Sequence, residues 1–133
     1  MKYYLDTNII IYSIKGSFPA IIGHFMQVPS ESVAIPSIVV AEIEYGARKS
    51  YNYDRTIDLY RKFMQPFQII RFGDSAAIQY GIIRSTLERS GNVIGPNDME
   101  IAAITLADDA VLVTHNTSEF GRINGLKIED WTE

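Results

Sequence analysis

"YYLDTNIIIY", residues 3–12, decides the fold, because an apolar run leads into Asp6 and a second apolar run begins after Asn8. The first run predicts a short buried strand, Lys2–Leu5, and the second predicts a helix, Asn8–Ile14. Polar side chains between two buried segments have two explanations. Either Asp6 or Asn8 caps the helix, or the carboxylate belongs to a functional site at the end of the strand. This stretch alone leaves both interpretations open.

Short apolar segments alternate with helical patterns along the rest of the chain. Strands are predicted at Val33–Ile35, Phe67–Ile70, Ala110–Thr114 and Lys127–Glu129, and helices at Phe18–Val28, Ser37–Lys49, Asp54–Met64, Asp74–Ser90 and from Asn97 onward. Ser37 and Asp74 are expected to be N-caps, and Asn97 with Glu100 to form a capping box. Short, wholly apolar strands separated by helices predict a parallel sheet covered on both faces. Ligands of such sheets bind beyond the carboxyl ends of the strands.

The composition limits the class of function. The chain has 133 residues, of which 47% are hydrophobic and 21% charged, and it is predicted to be one globular domain, 1–133. The absence of cysteine excludes thiolate metal sites and favours a reducing, cytoplasmic location. No membrane span and no signal peptide are predicted. A net charge of −4 argues against a generic nucleic-acid binder, although a bound metal would offset clustered carboxylates.

Glu42 is unusual for a helical carboxylate. On the predicted helix from Ser37, it shares a face with Ile38, Ala41 and Tyr45. An unpaired charge on an apolar face is costly unless it is paired or binds a cation. The alternative explanation is that Glu42 lies at the exposed edge of that face.

Three further polar residues occupy comparable positions. Asp98 lies in the first turn of its helix, where the helix dipole favours acids, so taken alone it is better explained as structural. Asn116 and Glu119 follow the strand Ala110–Thr114, as Asp6 follows the first strand, and a turn or a cap would explain each singly. Together, however, these residues predict a site. Oxygen ligands without Cys or a spaced His pair suit Mg²⁺ or Mn²⁺, which can activate water against a phosphodiester.

Four segments, in this order, resemble the PIN-domain family, and within it the VapC toxins of toxin–antitoxin pairs. They are LDTNIIIY (5–12), VVAEIEYGA (39–47), GPNDMEIAA (95–103) and LVTHNTSEFGRINGLKIEDW (112–131). The resemblance implies an α/β protein, a three-layer α/β/α fold with a short central parallel sheet of four to five strands. It also implies a Mg²⁺- or Mn²⁺-dependent endoribonuclease that hydrolyses RNA with a metal-activated water. A cognate antitoxin and a homodimer are the implied partners.

The resemblance also assigns site residues. Its catalytic acids correspond to Asp6, Glu42 and Asp98, of which Asp6 and Asp98 are expected to hold the metal. Many PIN domains have Asp at the position of Asn116, whereas the nearest acid here is Glu119. Glu119 is therefore assigned as the fourth catalytic acid, with Asn116 in support. The remaining predicted site residues are the supporting Thr7, Asn8 and Thr114 and the possible RNA phosphate contacts Lys15, Arg48 and Lys49.

Two other functions remain compatible with the sequence. A catalytically inactive PIN-like module that binds RNA or protein is favoured by the amide at Asn116, and the retention of Asp6, Glu42 and Asp98 counts against it. An aspartate-nucleophile phosphatase also places Asp after its first strand. That mechanism needs a second Asp two residues on, where this chain has Asn8.

Overall fold

A computed structural model describes residues 1–133 as alternating strands and helices. The strands are β1 (Tyr3–Leu5), β2 (Val33–Pro36), β3 (Gln68–Ile70), β4 (Val111–Val113) and β5 (Lys127–Glu129). The helices are α1 (Thr7–Lys15), α2 (Ala20–Gln27), α3 (Ser37–Arg48), α4 (Tyr53–Met64), α5 (Asp74–Ser90), α6 (Pro96–Ala107) and α7 (Thr117–Phe120), with a 3₁₀ turn at Ser30–Ser32. The predicted α/β class with a short parallel sheet is confirmed.

The sheet has the strand order β3-β2-β1-β4-β5, and every neighbouring pair is parallel. From β1 the chain builds outward through β2 to β3, and it then crosses to the other side of β1 to form β4 and β5. Because parallel crossovers are right-handed, the reversal puts α1 to α4 on one face and α5 and α6 on the other. The point of reversal, between β1 and β4, is where such sheets bind ligands.

The core follows from the apolar segments that the sequence analysis identified. Leu5 of β1, Ile10 of α1 and Leu112 of β4 are completely buried, and α6 contributes Ile101 and its neighbours. Strands this short, only three or four residues long, can carry few polar residues without opening the core. The polar residues are therefore displaced to the strand ends.

Local sequence explains the limits of α1. Asp6 has an extended backbone, and its side chain accepts a hydrogen bond from the Thr7 amide, so Asp6 is the N-cap. At the other end, Gly16 has a φ of 67°, a left-handed conformation that glycine adopts without steric cost. The helix thus begins at Thr7, in the middle of the polar gap, and the caps at Asp6 and Gly16 fix its limits.

Three predicted helix caps are wrong. Ser37 and Asp74 are the first residues inside α3 and α5, and neither caps its helix through the side chain. The capping box between Asn97 and Glu100 does not form, because proline at the first helical position starts α6 one residue earlier. The residues at the three cap positions are Pro36, Gly73 and Gly95, and none makes a side-chain cap hydrogen bond.

The helices are short in comparison with a lipid bilayer. None of them alone combines the length and apolarity needed to cross a membrane. Only α1 and α2 taken together satisfy the same criteria of length and composition, and a bend of 111° separates them.

Candidate active site

The candidate site lies at the carboxyl edge of the sheet, where β1 and β4 end side by side. Asp6 follows β1, and its amide donates a hydrogen bond of 2.9 Å to the Val113 carbonyl at the end of β4. Thr114 follows β4 directly and is fully buried. The predicted pairing of polar residues after two strands therefore occurs at the point where the strand order reverses.

Asp6 is held at both carboxylate oxygens. Its Oδ1 accepts the Thr7 amide at 2.8 Å, and its Oδ2 accepts the Thr114 hydroxyl at 2.7 Å. The residue is only 5% exposed. Burial raises the pKa of Asp6 and the charge of Glu42 adds to that, while the hydrogen bonds from Thr114 and Thr7 oppose it. Asp6 is therefore both a helix cap and a fixed, buried carboxylate, so its role as a cap does not exclude a place in a functional site.

Glu42 joins the site through Thr7, whose hydroxyl donates a hydrogen bond of 2.6 Å to Glu42 Oε1. The predicted apolar face around Glu42 is wrong, because Tyr45 is 66% exposed. The buried face of α3 consists of Val39, Ile43 and Ala47. Glu42 is half-buried beside that face. It reaches the site because α3 starts at the end of β2, the strand next to β1.

Asp98 is half-buried in the first turn of α6. Burial, followed by the charges of Asp6, Glu42 and Glu119, raises the pKa of Asp98 to about 6. A helix N-terminus favours the ionised carboxylate, so burial and repulsion outweigh the helix dipole. Three other carboxylates act on Asp98, which means that the four predicted acids share one region of the molecule.

Asn116 contacts two parts of this region. Its side-chain amide donates a hydrogen bond of 2.7 Å to Glu119 Oε2, and its backbone amide donates one of 3.0 Å to the Thr114 hydroxyl. Because that hydroxyl accepts from Asn116, its single proton points to Asp6 Oδ2. Asn116 therefore orients one carboxylate directly and another through Thr114.

The donor set fits a hard divalent cation. None of the four carboxylates forms an ion pair with Lys, Arg or His, so their mutual repulsion has no counter-charge from the protein. All four offer oxygen, the ligand that Mg²⁺ and Mn²⁺ prefer. No three acidic or histidine side chains already enclose an ion position by themselves. Mg²⁺ does not require this, because it usually keeps several waters and uses one or two carboxylates.

The other predicted residues lie in different places. The Asn8 side chain is exposed and makes no hydrogen bond to a carboxylate, so this part of the prediction is wrong. Arg48 lies over the Tyr53 ring at 3.8 Å, and the Lys49 ammonium is 5.1 Å from the Tyr45 ring centre. Lys15 lines a groove that also contains Glu42. Sequence reasoning missed the residues of α4 in that groove, because no spacing rule connects positions on α1, α3 and α4.

Comparisons with known proteins agree with this site. Residues 3–126 match the family model of the PIN domain. Ribonuclease VapC2 of Haemophilus influenzae is 37% identical over 131 residues, 98% of each chain. The tRNA(fMet)-specific endonuclease VapC of Shigella flexneri is 35% identical over 132 residues, 99% of each chain.

Solved structures agree as well. A chain in the crystal structure of VapBC2 from Rickettsia felis bound to a DNA fragment from their promoter superposes with a TM-score of 0.92. The two chains are 36% identical, and the match covers 98% of this chain and 99% of that one. The match to the family model and the full-length similarity to these relatives lead to one conclusion. The chain belongs to the PIN-domain family, in its VapC group.

Proposed function

We propose that this chain is a Mg²⁺- or Mn²⁺-dependent endoribonuclease that acts as the toxin of a toxin–antitoxin pair. The observation that carries the proposal is the gathering of Asp6, Glu42, Asp98 and Glu119 without a protein cation. The names of the relatives, ribonuclease and tRNA(fMet)-specific endonuclease, support the reaction class. A toxin acting on cellular RNA would work in the cytoplasm, as the cysteine-free composition also favours.

Asp6 and Asp98 would hold the cation. When bound, Mg²⁺ or Mn²⁺ supplies neutralisation of phosphate charge and activation of water. The chain contributes orientation: Thr7 and Thr114 fix both oxygens of Asp6, so this carboxylate needs no rearrangement before it acts.

Glu42 and Glu119 are suited to act as general bases. Thr7 holds Glu42 by Oε1 and Asn116 holds Glu119 by Oε2. The second oxygen of each carboxylate makes no hydrogen bond within the protein, so Glu42 Oε2 and Glu119 Oε1 remain able to orient a water or accept its proton. A metal-dependent hydrolysis of this kind needs no side-chain nucleophile.

The proposal is tested by incubating purified, antitoxin-free protein with total cellular RNA in Mg²⁺ or Mn²⁺. Discrete fragments are expected, and EDTA should abolish them. Asp98→Asn should lower the rate by about 10²-fold or more, by analogy with the loss of a preorganised charge-stabilising group. The matched control is Asp74→Asn, which removes a carboxylate from the first turn of α5, in a pocket that contains Ala107 and Asp108 at the other end of α6 from Asp98.

Each contrary result has a definite meaning. Fragments that persist in EDTA would contradict the metal-dependent mechanism. Intact RNA under every metal condition would favour the inactive binding module, for which Asn116 in place of an acid is the supporting feature. An equal loss of activity in Asp74→Asn and Asp98→Asn would show that the loss is not specific to the carboxylates of the candidate site.

Partners form the second part of the proposal. The solved neighbour is a VapBC assembly, which supports an antitoxin as the partner of this chain. A homodimer is supported by an exposed apolar pair on α5, Ile78 and Ile82, which are 67% and 54% exposed one helical turn apart. Sedimentation of the wild type and of Ile82→Glu would measure whether that pair joins two copies.

A further inference from the structure

A groove extends from the candidate site between α1, α3 and α4, and we name it the Glu42 groove. The groove is lined by Lys15 of α1, Glu42 and Gly46 of α3, and Thr56 and Tyr60 of α4, with apolar residues of α1 and α3 between them. Its volume of about 330 Å³ is at the lower end of the range of small-molecule pockets. The groove therefore has room for one small molecule, or one unit of a polymer, next to Glu42.

Three polar groups of the groove have no partner in the fold. The Lys15 ammonium makes no ion pair. The hydroxyls of Thr56 and Tyr60 make no side-chain hydrogen bond, although no buried polar atom of the protein lacks a partner. These groups therefore open onto the groove or the solvent and remain free to bind something else. The Tyr60 hydroxyl is protonated at neutral pH, since burial raises its pKa further above the ordinary value of 10, and it can therefore donate a hydrogen bond.

Gly46 lines the groove without a side chain. It lies within α3, where glycine destabilises a helix relative to alanine. A Cβ built at Gly46 would meet no atom within 4 Å, and its φ is not in the left-handed region. Neither packing nor backbone conformation requires glycine here. What its absent side chain provides is space beside Glu42.

We propose that the Glu42 groove binds one nucleotide of a single-stranded RNA next to the scissile phosphate, with its base at the Thr56 and Tyr60 hydroxyls and its phosphate at Lys15. The inference rests on the proposed ribonuclease function. A positive group and two hydroxyls match a phosphate and the hydrogen-bonding edge of an unstacked base. The apolar residues of the groove would contact the face of the base. An antitoxin segment in the same groove is the competing occupant.

Binding is measured with a fluorescein-labelled single-stranded RNA dodecamer that contains all four bases, and with an abasic ribose-phosphate dodecamer of equal charge. Ca²⁺ replaces Mg²⁺ because it carries the same charge with looser coordination, and a gel verifies that the RNA stays intact. The wild type should bind the base-bearing RNA more tightly than the abasic one. The double variant Thr56→Val/Tyr60→Phe should weaken only the base-bearing RNA, by about tenfold or more for two lost hydrogen bonds.

Two comparisons separate the parts of the groove. Lys15→Met should weaken both dodecamers by a similar factor, because it removes a phosphate contact. The matched control Tyr51→Phe/Thr86→Val removes one tyrosine and one threonine hydroxyl that lie outside the groove, since Tyr51 is fully exposed and Thr86 lies on α5. It should bind both dodecamers as the wild type does. The single variants Thr56→Val and Tyr60→Phe are measured as well, so that the test does not depend on the folding of the double variant. Each should show part of the loss.

Three results would overturn the inference. The first is equal affinity of the wild type for both dodecamers, and the second is a groove variant that binds both as the wild type does. The third is a groove variant that loses antitoxin affinity while its RNA affinity stays unchanged, which would assign the groove to the antitoxin. If the wild type cuts RNA but the groove variants bind normally, only this inference fails. If base-dependent binding is found and no RNA is ever cut, the ribonuclease proposal fails instead.

Discussion

At the scale of single residues, the site depends on hydroxyl groups that orient carboxylates. Thr114 is completely buried, and its hydroxyl has one acceptor, Asp6 Oδ2, and one donor, the Asn116 amide. Thr7 performs a similar task for Glu42. Such hydrogen bonds matter most where water cannot replace them, because an unsatisfied buried polar group bears its full desolvation cost.

Thr114→Val should therefore destabilise the protein by about 1–3 kcal/mol, because it keeps the shape but leaves Asp6 Oδ2 and the Asn116 amide without a partner. Urea unfolding measures the loss. The matched control is Thr105→Val, since Thr105 is equally buried but donates only to the Ile101 carbonyl of its own helix. Equal losses in the two variants would contradict the special role of the Thr114 hydroxyl.

The carboxylate cluster should also make stability depend on pH. The pKa of Asp98 is about 6 in the folded protein against an ordinary value of 3.8, so the folded state binds the proton more tightly than the unfolded state. Without a divalent cation, the free energy of unfolding should fall as pH rises from about 4 to about 6 and stay low above that. Asp98→Asn should lose the part of this fall that Asp98 contributes and exceed the wild type in stability at pH 7.5 in EDTA.

Thermal unfolding across pH, in EDTA and in Mn²⁺, measures this dependence. Mn²⁺ should raise the melting temperature of the wild type most at pH above 6, where the carboxylates are ionised, because a ligand that binds the folded state stabilises it. Asp74→Asn, which leaves the cluster intact, should keep the pH profile of the wild type. A wild-type stability that rises between pH 4 and 6 in EDTA would show that the acids of the cluster do not repel one another.

At the scale of elements, the sequence predicts the alternation of strands and helices better than it predicts helix starts. β5 was predicted with its observed bounds, and α1 within one residue at each end. The predicted caps of α3, α5 and α6 failed, because a preceding Pro36 or Gly73, or Pro96 at the first helical position, sets the start without a side-chain hydrogen bond. Propensity alone does not reveal that choice.

The site was predictable to the extent that it follows strand ends. Asp6 and Thr114 could be found in this way, because both directly follow buried strands. The apolar pattern predicted around Glu42 is wrong, because Tyr45 on that face is exposed. Of the two arguments from sequence, only the family resemblance still assigns Glu42 to the site. Gly46 and Thr56 could not be found at all, since their proximity depends on how α3 packs against α4.

Gly46 gives a prediction at this scale. Gly46→Ala should raise the free energy of unfolding by about 0.5–1 kcal/mol, because alanine restricts the unfolded chain and no atom obstructs its Cβ. Gly81→Ala, in the middle of α5 with equally open surroundings, is the control and should be stabilised by a similar amount. Chemical denaturation compares the two, and a destabilised Gly46→Ala would mean that the fold itself needs glycine there.

At the scale of the whole molecule, the charge and the apolar surfaces define how the protein meets its partners. A net charge of −4 gives the protein as a whole no attraction for the phosphates of RNA. A cation at the carboxylate cluster would supply attraction where it is needed. One exposed apolar surface, besides the pair on α5, is a groove of about 430 Å³ beside α2, lined by residues that include Ile22, Met26 and Phe67.

The α2 groove offers a test of the proposed antitoxin partner, because Met26 is 82% and Ile22 60% exposed and apolar patches of this kind mark protein contacts. Met26→Asp should weaken antitoxin binding by at least about tenfold, as a buried unpaired charge would, while RNA cleavage stays at the wild-type rate. Calorimetry with the cognate antitoxin measures the affinity. The control is Val93→Asp, a half-exposed apolar position outside the groove, and an equal loss there would remove the groove from the interface.

The central claim is that four carboxylates at the reversal of the strand order form a divalent-cation site. The most direct test is titration of the metal-free protein with Mn²⁺ in a calorimeter, with Asp98→Asn and Asp74→Asn measured alongside. We expect saturable binding by the wild type and by Asp74→Asn, and binding at least about tenfold weaker in Asp98→Asn because one charged ligand is lost. Wild-type protein that binds Mn²⁺ no more tightly than Asp98→Asn would contradict this claim.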